Sequence, residues 1–142
     1  MRGNDMNIAQ LLLGTSWELV KYQSENTKGD IIYPLGKEAL GSIVFTKQKR
    51  VSVQIMATEF IDSRLFLTDV EKKMAAFGYH AYSGFFVIDE DKQHLITSVD
   101  MSLIDAYVGS IQTRSIKIED DLLYLSNVNH PERKLVWRRI VR

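Results

Sequence analysis

The chain has no cysteine among its 142 residues, which excludes disulfides, thiolate nucleophiles and thiolate metal sites. Proline is scarce as well: only Pro34 and Pro131 impose obligatory breaks on regular structure. Neither sign of charge is in excess, because 18 Lys plus Arg balance 18 Asp plus Glu. That balance removes the net pull toward nucleic acid or anionic lipid. No apolar run approaches the length of a membrane span. The opening MRGNDMNIAQLLLG lacks the long apolar core and small-residue cleavage site of a signal peptide. These absences predict a cytoplasmic protein with no nucleic-acid partner and no membrane insertion. The motifs of common chemistries are missing too. His80, His94 and His130 form no HxH, HxxxH or HExxH spacing, so no metal is expected. There is no GxSxG, P-loop or GxGxxG, and GSIQTR leads into a strand, not a helix, so no cofactor is expected.

What is present is ordinary globular material, 45% apolar and 25% charged. A chain of this length fits one domain over residues 1–142 and buries about two thirds of its unfolded surface. Residues 1–6 read as disordered or tag-like, with Met6 an alternative start to Met1. A short helix follows, capped by Asp5 or Asn7, with Ile8, Leu11 and Leu12 on one face and Gly14 as its stop. From Trp17 the apolar period becomes two, and Trp17, Leu19 and Lys21 share a face against Glu18, Val20 and Tyr22. NTKGD turns the chain, and IIYPLG resumes extended structure until Pro34 and Gly36 stop it. Further hairpins turn at KQKR, at Asp89 to Lys92 and at Glu119 to Asp121. KLVWRRIVR closes the chain, its basic residues reading as the outer face of a last strand. The pattern is all-β, with roughly eight to ten hairpin-connected antiparallel strands that avoid edges by closing into an up-and-down barrel. One segment differs. TDVEKKMAAFGYHA places Thr68 and Glu71 at capping-box spacing and Val70, Met74 and Phe77 on one stripe, predicting an amphipathic helix near 68–79. Its stripe is expected to cover a barrel mouth or wall.

The order of these motifs resembles a bacterial and fungal lipocalin-like domain family. The residues that carry the resemblance are LLLGTSWELV, YPLG, GSIVFTKQKRVSVQIM, GYHAYSGFFVID, SLIDAYVGSIQTRSIKIEDDLLYLS and LVWRRI. Together they cover roughly Leu11 to Val141 in the family's order. The resemblance implies a small calycin-like β-barrel whose interior holds a small, mostly apolar molecule. Some barrels of related shape in natural-product pathways act as cyclases or isomerases by folding a substrate in the cavity. Two departures stand out: Ser16 separates GT from Trp17, and Thr97 or Ser98 stands where members often carry histidine. By analogy with lipocalins, Gly14 and Trp17 form the barrel base, sealed by Arg138 or Arg139 from the last strand.

Strand alternation selects the interior candidates. In SIQTRSIKI, Lys117 and the small polar residues suit solvent, which turns Gln112 and Arg114 inward beside Ile116 and Ile118. The family pattern also has a glutamine and an arginine there. A buried guanidinium needs a carboxylate, backbone carbonyls or a ligand, and Asp100 on the preceding strand is a candidate partner. The alternative is an arginine at the barrel end, with its stem snorkelling outward. Gln54 and Met56 share a face of VSVQIM and complete the ligand-binding candidates together with Tyr82 and Phe86. His80, between Tyr79 and Tyr82, reads either as a helix-exit histidine packed by aromatics or as an acid–base group at the cavity mouth.

Three functions compete. A binding module predicts a cavity of roughly several hundred Å3 for one small hydrophobic molecule. A cofactor-free isomerase or cyclase would polarise a carbonyl with Arg114 or Gln112 and move a proton through His80, Tyr82 or Asp100. A filled barrel would act through its outer surface. A homodimer is compatible with each, and binding is the leading expectation.

Overall fold

A computed structural model describes residues 6–66 and 68–141. Residues 1–5, which include the alternative cap Asp5 and most of the expected tag-like segment, lie outside the described residues. Helix α1 (Ile8–Leu12) is followed by strands β1 (Thr15–Glu25), β2 (Ile31–Ile32), β3 (Leu40–Phe45) and β4 (Arg50–Met56). Helix α2 (Asp69–Phe77) separates these from β5 (Tyr79–Asp89), β6 (His94–Ser102), β7 (Ile111–Glu119), β8 (Leu122–Asn127) and β9 (Lys134–Arg139). All the pairings are antiparallel between neighbours, and β1 also pairs with β9, which closes the sheet into a barrel. The two-residue β2 stands outside that circuit, hydrogen-bonded only to the far end of β1.

Turn chemistry explains why the hairpins close where they do. Lys49, Gln93 and Asp120 adopt positive φ in the β3–β4, β5–β6 and β7–β8 connections. That left-handed step matches the twist of the strands it joins. Two irregularities steer the barrel wall. The β1–β9 register shifts between Leu19 and Lys21, which exposes Val20 and turns Tyr22 and Ser24 inward. The expected alternation, with Lys21 on the face of Trp17, therefore stops at this bulge. A second shift lies between Ser83 and Gly84 opposite β6. There the strands approach so closely that a Cβ on Gly84 would overlap the Ser98 carbonyl.

The two ends of the barrel differ. At one, α1 folds across the opening with Leu12 fully buried. Asn7 caps this helix, and Glu90 from the β5–β6 turn accepts the Ile8 and Ala9 N–H groups at 2.9 and 3.1 Å. Beneath it Trp17, Phe45 and Phe86 form the base of the core, with Phe45 and Phe86 edge to face at 5.4 Å. Gly14, at φ +77°, makes the turn from α1 into β1. At the other end α2 lies across the mouth, capped by Thr68 and ended by Gly78 in the left-handed conformation. Its buried side is Glu71, Met74 and Ala75. Phe77, expected on the apolar stripe, is more than half exposed.

Candidate functional site

Beneath α2 the barrel interior is not completely filled. The space between the lining atoms is about 590 Å3 when the open mouth is counted, of which only about 40 Å3 is free to water. The second figure decides what fits, and it corresponds to roughly three water molecules. This is smaller than the several hundred Å3 expected. The physical reason is that Tyr22, Tyr107 and Met74 project into the mouth from β1, the β6–β7 connection and α2. A larger groove of about 520 Å3 runs along the outer wall beside Lys21, Lys92, Lys117 and Lys134, but it is open to solvent.

The cavity walls divide by chemistry. Ile43, Val53, Ile55, Leu125 and Leu135 supply an apolar surface from β3, β4, β8 and β9. Facing it are His80 and Tyr82 on β5, with Tyr107 beside them. The His80 ring lies 5.3 Å from Tyr82 and 5.5 Å from Tyr107, and the two tyrosine rings are 6.1 Å apart. His80 is buried, and burial together with the Arg114 charge pushes its pKa down to about 4, so it is neutral at physiological pH. Burial raises the phenol pKa of Tyr22 and Tyr82 against a smaller lowering by Arg114, so both remain protonated. Two buried polar atoms, His80 Nδ1 and Trp137 Nε1, have no hydrogen-bond partner among the described residues. Both residues line this cavity. Unpartnered buried groups are uncommon in folded proteins because each forfeits its water without replacement.

Two guanidinium groups reach the same space. Arg133 donates to Glu71 Oε1 at 3.2 Å, and the Thr68 hydroxyl donates to the same oxygen at 3.0 Å. These contacts tie α2 to the start of β9, with both charged side chains largely buried. Arg114 is different. Its Nη2 donates to Gln112 Oε1 at 3.1 Å and its Nη1 to the Thr113 carbonyl at 3.2 Å. The Gln112 amide is oriented in turn by donating to Ser110 Oγ at 2.8 Å.

The structure thus brings His80, Tyr82 and Arg114 to one cavity, with Gln112 holding Arg114 from the same face of β7. Other candidates lie elsewhere. Gln54 and Met56 point outward and are exposed, because Val51, Val53 and Ile55 occupy the inner face of β4. Asp100 is also on the outside, at the irregular stretch of β6 opposite Ser83 and Gly84. There it takes both oxygens of its carboxylate to Arg50 at 2.8 Å, which holds its pKa below the usual carboxylate value. It is therefore not the partner of Arg114. Arg50 also lies over the exposed Phe85 ring, 4.7 Å from its centroid. Phe86 faces inward but belongs to the closed base with Phe45, below the cavity. At that base, Arg139 stands opposite Trp17 in the ladder and Arg138 opposite Glu18, both exposed. The Trp17 indole N–H goes to Thr15 Oγ1 at 2.8 Å. Among the described residues, the cation–π contacts involve Tyr33 and Phe85, not this indole. Thr97 is the inward residue of the Thr97–Ser98 pair, and its hydroxyl is buried.

Sequence reasoning overlooked Tyr22, Glu71, Arg133 and Trp137. The apolar ring of Tyr22 after Val20 signals the bulge, since strict alternation leaves it facing solvent. Arg133 immediately precedes the last strand in sequence, and only the fold brings it to Glu71. No group of three His, Asp or Glu side chains able to hold a metal occurs among the described residues. None of the described helices is long and apolar enough to cross a membrane.

Comparison with known families agrees with the architecture. The profile of the lipocalin-like domain family matches residues 14–140, so the chain belongs to that family. No curated protein and no solved structure was found to match it.

Proposed function

We propose that this member of the lipocalin-like domain family binds one small, mostly apolar molecule in the barrel interior, beneath α2. A lipocalin-like barrel points to ligand binding in general. The observation that carries the finer reading is the pair of unpartnered buried atoms, His80 Nδ1 and Trp137 Nε1, in a cavity whose β3, β4, β8 and β9 walls are apolar. A barrel evolved only to be filled would replace them by apolar atoms of the same shape. The cavity offers only about 40 Å3, so on this reading a molecule the size of a benzene ring requires Met74 and Val70 of α2 to withdraw. Met74 suits that role, because its unbranched chain readjusts at low cost.

The isomerase or cyclase reading is weaker. Asp100 is on the outer wall, and His80 is held neutral with its conjugate acid strongly disfavoured. The binding reading is tested by titrating benzyl alcohol and following the two indole N–H resonances by NMR. Trp137 is expected to shift, and no change at saturating probe would overturn the reading.

A further inference from the structure

We infer that the occupant of this cavity carries an anionic oxygen group, in its simplest form a carboxylate, seated on the guanidinium of Arg114. The inference rests on the binding reading above and adds the chemical class of the ligand. Its first support is the contrast between the two cavity arginines. Arg133 already has a carboxylate partner in Glu71. Arg114 is held only by neutral oxygens, those of Gln112 and Thr113. Among the described residues no carboxylate lies within ion-pair distance of it. A guanidinium has five N–H donors in a planar fork. Two are used here, and the other three make no hydrogen bond among the described residues.

The fork is also oriented. Ser110 Oγ donates to the Tyr107 carbonyl at 2.6 Å and accepts the Gln112 amide at 2.8 Å. That fixes the Gln112 amide with its oxygen toward Arg114, so the guanidinium is held in place without being neutralised. A structural ion pair would need a carboxylate at this point, and the chain supplies an amide instead.

The remaining lining agrees in sign. Trp137 Nε1, buried and unpartnered, is a donor only. Two guanidinium groups against one carboxylate leave the lining with a positive excess. After burial, the Arg114 charge also contributes to keeping His80 neutral. An ammonium ligand would meet this charge directly. A neutral alcohol would leave Arg114 without a counter-charge. A carboxylate takes two parallel N–H donors from one fork, the geometry guanidinium groups recognise best. Its apolar body would lie against Val53, Ile55 and Leu125.

The test is calorimetric titration of the intact protein with benzoate, benzyl alcohol and benzylamine at neutral pH. Benzoate is expected to bind at least about tenfold more tightly than benzyl alcohol, and benzylamine more weakly than either. Arg114→Gln should bring benzoate down to the affinity that the same variant shows for benzyl alcohol. Arg114→Lys keeps the charge without the fork, and should retain a reduced preference for benzoate. Equal binding of benzoate and benzyl alcohol to the unaltered protein, or a preference that survives Arg114→Gln, overturns the inference and leaves the binding reading standing. If none of the three probes binds, both fall. Because the comparison of probes on the unaltered protein decides the matter, an Arg114 variant that does not fold does not remove the test.

Discussion

Replacing His80 by phenylalanine should change how stability depends on pH, and the size of the change follows from the site. The histidine is buried against Tyr82 and Tyr107, and its pKa falls from an ordinary 6.5 to about 4. The unfolded chain therefore takes up a proton in that window while the folded chain does not. Stability contributed by the neutral imidazole is complete above about pH 6.5 and lost as pH falls toward 4. The difference of about 2.5 units corresponds to roughly 3 kcal/mol, with a slope of no more than about 1.4 kcal/mol per pH unit. His80→Phe keeps a ring of similar breadth between the two tyrosines and removes the titration. The assay is urea unfolding of both proteins from pH 8 to pH 4, compared as a difference at each pH. Exposed histidines and carboxylates cancel in that difference, so the unaltered protein should lose up to about 3 kcal/mol relative to the variant. Parallel curves over the whole range would refute the claim that His80 is buried and neutral.

Other consequences concern the lid and the wall. Glu71→Ala leaves Arg133 buried without its carboxylate and should cost about 3 to 5 kcal/mol, whereas Glu71→Leu combined with Arg133→Leu should recover much of the loss. A double variant as unstable as the single one, measured by urea unfolding, would show that the pair is not what ties α2 to the barrel. Gly84→Ala should prevent a native far-UV spectrum or lower stability by about 3 kcal/mol, because its Cβ meets the Ser98 backbone. An unfolding midpoint close to that of the unaltered protein would contradict the close β5–β6 approach.

Much of the barrel was legible because its signals are local. Period-two alternation placed Gln112 and Arg114 on one face, turn residues placed the hairpins, and Thr68 with Gly78 bounded α2. The errors arose where a side chain's direction depends on a partner strand. Val20 shifts the register of β1 against β9, and this reversed the expected facing of Lys21 and Tyr22. Gln54 and Met56 share a face of β4, but Val51, Val53 and Ile55 are the apolar set that must face the core. Asp100 is adjacent to Arg114 in strand order, but the barrel wall separates them. The Glu71–Arg133 pair joins residues 62 apart in sequence, a separation no local pattern reports. The unpartnered Trp137 nitrogen is likewise a property of the assembled interior, since sequence marked this residue only as a strand apolar.

The central claim, that the interior beneath α2 takes up a small apolar molecule, is tested most directly by the two tryptophans. Trp137 lines the cavity with a free indole N–H, while Trp17 lies at the closed base with its N–H held by Thr15. In a proton–nitrogen NMR titration with benzyl alcohol, the Trp137 indole resonance should move and saturate while that of Trp17 stays in place. Shifts confined to outer-wall residues such as Lys117 and Tyr124, with both indoles unmoved at saturating probe, would contradict the account.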